Sequence, residues 1–262
     1  MTILDKIIKD KLKEVELKKS LIPVSQLEAS VLFGRKCISL AENIKNGSGI
    51  IAEHKRRSPS KSVINQDLNV QEVAKGYESA GVSGMSVLTD GKYFGGSLED
   101  LLYARASANI PILRKEFMVD PYQVIEAKAY GADAILLIAA VLTEKQMIHL
   151  ANKAKELGME VLLEVHNEEE LQKSLRVKAD MLGVNNRNLK TFEVSIENSK
   201  KLAPLIPEHF VKVSESGISD PAVIAELKES GYKGFLIGEN FMRTENPGKA
   251  AKKFIAELKS MV

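Results

Sequence analysis

The chain has 262 residues, of which 44% are hydrophobic, so it can bury a full core in one large domain. Its 37 Lys and Arg against 35 Asp and Glu give a formal net charge of only +2, which excludes a globally basic nucleic-acid-binding protein. The single cysteine, Cys37, excludes an internal disulfide and a cysteine zinc site, and it is typical of a reducing compartment.

Three helices are predicted before the first strand. Apolar residues over 3–19 recur at helical spacing among lysines, which indicates an amphipathic helix that Pro23 ends. Ser25 followed by Glu28 has capping-box spacing, so a second short helix is predicted to start there. A third is predicted just before the first strand. We expect residues 1–48 to form a helical extension packed on a single domain that spans 1–262.

No stretch of the chain has the pattern of a targeting or membrane segment. Residues 1–9 mix charged and apolar side chains, unlike the uninterrupted apolar region of a signal peptide. The longest apolar run, residues 134–142, is far shorter than the ~18 residues that span a bilayer. We therefore expect a cytoplasmic protein with no membrane partner.

After Gly49, apolar segments rich in β-formers alternate regularly with helical segments. Several helices end in a glycine that leads directly into a strand, which is the connection typical of a repeated βα unit. The predicted strands cover 50–55, 85–89, 112–115, 134–139, 160–165, 180–185, 210–214 and 234–238. The predicted helices between and after them cover 70–80, 97–108, 121–130, 143–157, 167–175, 195–203, 220–230 and 247–258.

Eight such units predict a closed (β/α)8 TIM barrel with extra amino-terminal helices. The structural alternative is an open, doubly wound parallel sheet. That fold commonly has a Gly-x-Gly-x-x-Gly turn after its first strand, and the chain has none at that position. We therefore favour the barrel.

Polar residues follow several of the predicted strands, at the end where barrel enzymes carry their chemistry. Side chains alternate along a strand, so Glu53 and Lys55 share one face and His54 the other. Solvated strand ends or a buried ion-pair network would also explain single members of this group. Because they recur on many strands, we interpret them as one site: Glu53 and Lys55, Lys115, Glu164, Asn185 and Arg187, and Glu215 with Ser216.

Glycine-containing turns follow the last two predicted strands, at Ser216-Gly217 and Gly238-Glu239. In barrels, the backbone N–H groups of these loops commonly bind phosphate. We therefore expect a small phosphorylated substrate. The four histidines lack the spacing of a metal site, so no metal is predicted. His166 continues the face of Glu164, and it is either at the cavity rim or an ordinary loop residue.

Five segments, in order along nearly the whole chain, resemble the indole-3-glycerol-phosphate synthase family. They are IAEHKRRSPS at 51–60, SVLTDGKYFGGS at 86–97, LRKEF at 113–117, GVNNRNL at 183–189 and SESGI at 214–218. The resemblance implies a carboxy-lyase of tryptophan biosynthesis. The family's reaction is decarboxylation and ring closure of 1-(2-carboxyphenylamino)-1-deoxyribulose 5-phosphate, which yields indole-3-glycerol phosphate, CO2 and water without a cofactor or metal.

The resemblance also implies roles for individual residues. Lys115 resembles the general acid of ring closure, Glu164 the acid/base of dehydration, and Glu53, paired with Lys55, a base or a stabiliser of positive charge. Asn185 and Glu215 would orient substrate hydroxyls. The substrate-binding residues would be Arg187, Ser216, Gly217, Gly238 and Glu239 at the anionic ends, Phe94, Phe117, Leu136 and Leu189 around the aromatic ring, and Ser58 in a mobile loop over the substrate.

These roles also follow chemical reasoning. A lysine crowded by cations has a lowered pKa that suits proton transfer, and a desolvated glutamate can supply the second acid. The division of work between Lys55 and Lys115 is left open. Glu239 replaces a small hydroxyl residue of some relatives, so only its backbone N–H is an expected phosphate donor.

Three alternatives compete with this assignment. A Schiff-base aldolase would use Lys115 or Lys55 as its nucleophile, and another phosphate-binding barrel lyase would share the same turns. The basic run from Lys55 to Arg57, with Lys61, would be the nucleic-acid contact of a binding module. Since no second basic face accompanies that run, we expect no nucleic-acid partner. We also expect the protein to be a monomer.

Overall fold

A computed structural model of the chain describes residues 2–59, 61, 63–188 and 191–261. Eight parallel strands form its centre. They are β1 (Ile50–His54), β2 (Gly84–Leu88), β3 (Ile112–Lys115), β4 (Ala134–Ile138), β5 (Glu160–Val165), β6 (Met181–Asn185), β7 (Val211–Glu215) and β8 (Gly234–Ile237). All eight strand predictions are confirmed to within two residues at either end.

Thirteen α-helices are described with these strands. Three precede β1: α1 (Ile3–Leu21), α2 (Val24–Glu28) and α3 (Leu40–Asn46). The others are α4 (Val70–Ala80), α5 (Gly91–Phe94), α6 (Leu98–Ser107), α7 (Pro121–Ala129), α8 (Glu144–Glu156), α9 (Glu168–Ser174), α10 (Glu197–Leu202), α11 (Pro221–Glu229), α12 (Glu239–Met242) and α13 (Pro247–Ser260). No helix in these ranges is long and apolar enough to cross a membrane.

The strands pair in sequence order, and β1 also pairs with β8, so the sheet closes into a barrel. Ile51 lies opposite Gly84 of β2 on one side and Leu236 of β8 on the other. An open doubly wound sheet has two unpaired edges, whereas every strand here has two neighbours. The prediction of a (β/α)8 barrel is therefore confirmed.

Local sequence signals explain where most helices begin. Asp120 caps α7, with Pro121 in the first turn, and the Gln123 side chain accepts a hydrogen bond from the Asp120 backbone N–H to complete a capping box. The capping box predicted at Ser25 is wrong, because α2 starts one residue earlier and Pro23 is its N-cap. Pro23 supplies a backbone that is already extended, so Ser25 becomes an internal helix residue.

The core has an outer layer between strands and helices and an inner cluster within the barrel. Leu40 and Ile44 of α3 pack on the inner cluster, and Ser39, the N-cap of α3, donates a hydrogen bond to Glu160 at the start of β5. Helix α3 therefore covers the amino-terminal end of the barrel. The opposite end, where the strands finish, is left open for a site.

Candidate active site

A cavity of about 450 Å³ lies at the carboxyl end of the barrel. All eight strands contribute residues at or just beyond their carboxyl ends. The cavity is lined by fifteen of the sixteen site residues predicted from the sequence: Glu53, Lys55, Ser58, Phe94, Lys115, Phe117, Leu136, Glu164, Asn185, Arg187, Glu215, Ser216, Gly217, Gly238 and Glu239. The sixteenth, Leu189, lies outside the described residues, as does Ser60 of the first family motif.

Three ion pairs organise the polar floor of the cavity. Lys115 Nζ lies 3.1 Å from Glu164 Oε2 and 2.5 Å from Glu215 Oε2. Lys55 Nζ lies 2.9 Å from Glu53 Oε1. The carboxylates are almost fully buried, and the two lysines keep 15% and 20% of their side chains exposed. Both ammonium groups therefore face the space that a substrate would fill.

The surroundings of Lys115 differ from the expected crowd of cations. Burial disfavours its charge, but the carboxylates of Glu215, Glu164 and Glu53 outweigh burial and raise the pKa of Lys115 above its ordinary value. The expectation of a lowered pKa is therefore not met. The physical reason is that the strand ends nearest Lys115 carry acids, while the other cation, Lys55, is paired with Glu53.

The pKa values of the two glutamates beside Lys115 shift in opposite directions. Burial alone would raise the pKa of Glu164, but Lys115 and His166 lower it to about 2. Burial raises the pKa of Glu215 to about 7, and Lys115 offsets only part of that effect. Sequence reasoning assigned the pKa raised by desolvation to Glu164, whereas in this structure that upward shift belongs to Glu215, and Glu164 stays ionised.

Asn185 and two glycines fix these carboxylates in place. The Asn185 side chain donates a hydrogen bond to Glu164 Oε1 at 3.3 Å and accepts one from the Arg187 backbone N–H at 2.9 Å. A Cβ at Gly183 would collide with Glu215 Oε1, and one at Gly238 would lie 2.6 Å from Glu53 Oε1. The absence of side chains at Gly183 and Gly238 leaves room for the buried carboxylates of Glu215 and Glu53.

The turns after β7 and β8 form the wall opposite the aromatic side. Ser216 has a φ of +69° and Gly217 one of +75°, so two successive residues adopt the left-handed region and turn the backbone sharply. Gly238 is the N-cap of α12. The Glu239 carboxylate forms an ion pair with Lys61, which lowers the pKa of Glu239 and keeps it ionised.

Apolar residues line the other side of the cavity. The rings of Phe94 and Phe117 are 5.9 Å apart between centroids and tilted by 43°, and Leu136 lies on the inner face of β4. Helix α1 contributes Ile3 and Leu4 to the same cavity. Sequence reasoning missed this role of α1, because an amphipathic pattern shows that one face is buried and not what that face contacts.

The basic loop after β1 is anchored to the protein. The Arg56 guanidinium forms two hydrogen bonds to the Asp100 carboxylate, at 2.5 and 2.7 Å. Arg57 donates to the backbone oxygens of Gly91 and Lys92. These arginines are engaged within the chain, so they do not form the open basic surface that a nucleic-acid site requires. Ligand-dependent order of this loop stays a prediction.

Two further groups of charged residues lie beside the cavity, and sequence reasoning missed the first of them. Asp90 and Glu116 line it, and both pair with Lys11 of α1, at 2.9 and 3.2 Å. Their partner lies about 80 to 105 positions away, and no local pattern could reveal it. His166 lies 3.3 Å from Glu164, and the shared strand face was the signal for that contact. Within the described ranges, no group of three or more His, Cys, Asp or Glu could hold a metal ion.

Comparison with known proteins agrees with this geometry. The family model for indole-3-glycerol phosphate synthase matches residues 4–254. The indole-3-glycerol phosphate synthase of Bacteroides thetaiotaomicron is 48% identical over 254 residues, which cover 97% of each chain. That of Salinibacter ruber is 43% identical over 264 residues, which cover 100% of this chain and 98% of the relative. The match to the family model and to these relatives over nearly the whole chain shows that the chain belongs to the indole-3-glycerol phosphate synthase family.

Proposed function

We propose that the cavity at the carboxyl end of the barrel performs the family's ring-closing decarboxylation. The chain is an indole-3-glycerol-phosphate synthase, a carboxy-lyase of tryptophan biosynthesis that releases CO2 and water from its phosphorylated substrate. The cavity, about 450 Å³ in volume, falls in the range of small-molecule sites. The observation that carries the assignment of roles is the Lys115 ammonium between two buried carboxylates, with its third side open to the cavity.

Lys115 is the proton donor of ring closure in this proposal. Closing the ring turns a carbonyl oxygen into a hydroxyl, which needs a proton at that oxygen. The carboxylates of Glu164 and Glu215 keep Lys115 protonated in the unliganded protein and aim it at the cavity. A ketone oxygen that gains negative charge beside this ammonium is stabilised first and protonated next. Lys55, paired with Glu53, is the second cation that can serve a later proton transfer.

Glu164 serves the dehydration step. Loss of water requires that a hydroxyl group receive a proton and that the neighbouring carbon lose one. The ionised Glu164 carboxylate can accept that second proton, while Lys55, which still carries its proton after ring closure, can protonate the departing hydroxyl. Glu215, in contact with Lys115, and Asn185, in contact with Glu164, orient the substrate hydroxyls. Arg187 and the turns at Ser216-Gly217 and Gly238-Glu239 receive the anionic groups, and Phe94, Phe117 and Leu136 pack on the aromatic ring.

The direct test adds 1-(2-carboxyphenylamino)-1-deoxyribulose 5-phosphate to the protein and follows indole fluorescence. We expect turnover by the unchanged chain and a fall of about 10²- to 10⁴-fold in kcat for Lys115→Ala, the usual contribution of a general acid. Lys145→Ala, on the exposed face of α8, is the matched control and should keep full activity. A folded but inactive chain would refute the function. A near-normal rate for Lys115→Ala would refute the role of Lys115.

The Schiff-base aldolase is the weaker alternative. Such an enzyme needs a neutral lysine amine as nucleophile. Here Lys115 is held as an ammonium by Glu164 and Glu215, and Lys55 is paired with Glu53. Borohydride treatment in the presence of a sugar phosphate should therefore leave both lysines unmodified, and a covalent adduct on either one would favour the aldolase.

We further propose that the chain works as a single-domain monomer in the cytoplasm. The helices before β1 pack on the barrel and complete its cavity, which supports one folding unit. One chain supplies all the groups that the proposed reaction uses. Sedimentation equilibrium should give the chain mass of 28.8 kDa, and a larger mass would overturn the monomer.

A further inference from the structure

His166 lies just beyond β5, beside the site, and has no part in the proposed chemistry. Only 10% of its side chain is exposed. Its ring is located between two carboxylates: Nδ1 lies 3.0 Å from Glu170 Oε2, and Nε2 lies 3.3 Å from Glu164 Oε1. Glu164 thus has a neighbour on each oxygen, since Lys115 Nζ lies 3.1 Å from its Oε2.

The contacts of Glu170 decide which ring nitrogen carries a proton. Glu170 Oε2 accepts a hydrogen bond from the His166 backbone N–H at 2.8 Å, so this carboxylate is fixed against the ring. A carboxylate can only accept there, so Nδ1 is the protonated nitrogen. In a neutral ring, Nε2 would then direct its lone pair at the Glu164 carboxylate. In a charged ring, Nε2–H faces that carboxylate, and the contact becomes attractive.

We propose that His166 is a positioning residue for Glu164: its charged ring, together with the Asn185 side chain, holds Oε1 while Lys115 holds Oε2, which fixes the plane of the carboxylate for dehydration. The proposal rests on the proposed role of Glu164. Nε2 is buried, and within the described part of the chain it has no hydrogen-bond partner. The Glu164 contact is at ion-pair distance without hydrogen-bond alignment, a looseness common in unliganded active sites that tighten around substrate.

The charges around the ring favour its protonated form. Burial opposes the charge, but Glu170, Glu164 and Glu215 outweigh burial and raise the pKa of His166. The cations on the other side of these acids are Lys115, which pairs with Glu164 and Glu215, and Lys173, which is near Glu170. From α10, uncharged Asn198 donates to the His166 backbone oxygen. The hold on Glu164 is therefore present at low and neutral pH and is lost as pH rises through the raised pKa.

The first experiment needs no turnover. NMR titration of the histidine ring signals of the whole chain, with the His166 signal assigned by its loss in His166→Gln, should give a midpoint above the ordinary histidine value of about 6.5. Glu170→Gln and Glu164→Gln should each lower the midpoint, because each removes a negative charge from one ring nitrogen. A midpoint at or below that ordinary value, or one that does not change in Glu164→Gln, would overturn the proposal.

The second experiment measures the consequence for catalysis. In the indole fluorescence assay, His166→Leu should lower kcat by about 10-fold or more with KM changed less than about twofold, because a misplaced catalytic group slows chemistry without weakening binding. His166→Gln keeps a neutral donor and should recover part of kcat. In the unchanged chain, kcat should fall as pH rises through the pKa of His166, and this fall should be absent from both variants. His149→Gln should match the unchanged chain.

The two experiments separate the possible failures. Wild-type kcat and an unchanged alkaline limb in His166→Leu would overturn the positioning role while the proposed function stands. An inactive wild-type chain would instead refute the proposed function, and the NMR midpoints would still decide whether the charged ring holds Glu164.

Discussion

At the scale of single residues, Glu215 keeps its place because residue 183 has no side chain. Gly183 lies on β6, next to β7, and a Cβ there would collide with Glu215 Oε1 and approach Leu162 to 3.2 Å. The pairing of Glu215 with Lys115 therefore depends on a residue that supplies no functional group. A search of the sequence for charged residues does not find such a position. It becomes evident only when the pairing of β6 with β7 is known.

Gly183→Ala should impair catalysis more than folding. The added methyl group forces the Glu215 carboxylate away from Lys115, so we expect kcat to fall by about 10-fold or more. The cost in the free energy of unfolding should be about 1 to 3 kcal/mol, as for other overpacked cores. Urea unfolding and the fluorescence assay measure the two effects. Gly34→Ala, which adds its methyl group in open space, is the control. Unchanged kcat in Gly183→Ala would contradict the steric argument.

His54 should make the protein less stable in acid. Its side chain is buried on the outer face of β1, and burial, assisted by the charge of Arg56, lowers its pKa from 6.5 to about 4. Above pH 6.5 the ring is neutral in both states, and its pKa shift has no effect on stability. As pH falls from 6.5 towards 4, the unfolded state takes up a proton that the folded state resists, so the free energy of unfolding decreases.

The size of the effect follows from the two pKa values. Between pH 7 and pH 5, His54 should account for a loss of about 2 kcal/mol, at 1.36 kcal/mol for each pH unit below 6.5. Urea unfolding at both pH values should show a loss smaller by that amount in His54→Gln than in the unchanged chain. Equal losses in the two proteins would mean that His54 titrates normally in the fold.

At the scale of elements, α1 is attached by an ion pair to the residue that follows β3, the strand that carries Lys115. Its first turns line the cavity through Ile3, Leu4 and Ile7, and one turn later Lys11 is 2% exposed. Lys11 pairs with Glu116, which directly follows Lys115, and with Asp90 after β2. Burial opposes the Lys11 charge, but these carboxylates prevail and raise its pKa. An added helix is thereby held to the strand that carries the proposed acid.

Lys11→Met should loosen α1 while the barrel stays folded. The substitution leaves Asp90 and Glu116 as buried carboxylates without their main cation, which commonly costs 3 to about 5 kcal/mol. Because α1 can detach separately, we expect faster hydrogen exchange in α1 and a raised KM. Mass spectrometry of exchanged peptides measures the first effect. Lys13→Met, on the exposed side of the same helix, should change neither the hydrogen exchange of α1 nor KM. Hydrogen exchange in α1 that is as slow in Lys11→Met as in the unchanged chain would refute the anchoring role.

The elements differ in how far the sequence predicts them. Strands and long helices follow from local periodicity and caps, and Asn69 and Thr143 begin α4 and α8 as N-cap residues. Helices α5 and α12, each of four residues, have too few residues to show a period. The start of α2 depends on Pro23 rather than on the Ser25 pattern, because the backbone entering a helix is set by its neighbours as well as by side-chain caps.

At the scale of the whole molecule, the number of βα units predicts that the sheet closes into a barrel. The polar residues at the carboxyl ends of the strands predict where the cavity lies. The sequence does not predict which charges meet. Lys115 contacts Glu164 and Glu215, which lie 49 and 100 positions away along the chain. The closeness of these two carboxylates to Lys115 Nζ in space decides the sign of the Lys115 pKa shift. Strand alternation predicts the face of each residue, but the order of charges around the barrel depends on register and on side-chain length. The roles of these residues stay predictions until they are tested.

Closure also depends on the first and last βα units. Helix α4 packs on α13 where Gly76 meets Gly248, and a Cβ at Gly248 would lie 2.6 Å from Gly76 Cα. Gly248→Ala should therefore push two helices apart and lower the free energy of unfolding by about 1 to 3 kcal/mol. Gly34→Ala should stay within about 0.5 kcal/mol of the unchanged chain in the same urea titration. Equal stability of the two variants would contradict the close approach.

The position of α1 at the cavity has a practical consequence for handling this enzyme. A purification tag fused ahead of Ile3 would be placed beside the substrate entrance. Helix α13 follows β8 and runs back towards the other end of the barrel, so a tag after Ser260 leaves the entrance clear. For the same reason, attachment to a solid support through the end of α13 would turn the cavity outwards, towards the solution that carries the substrate.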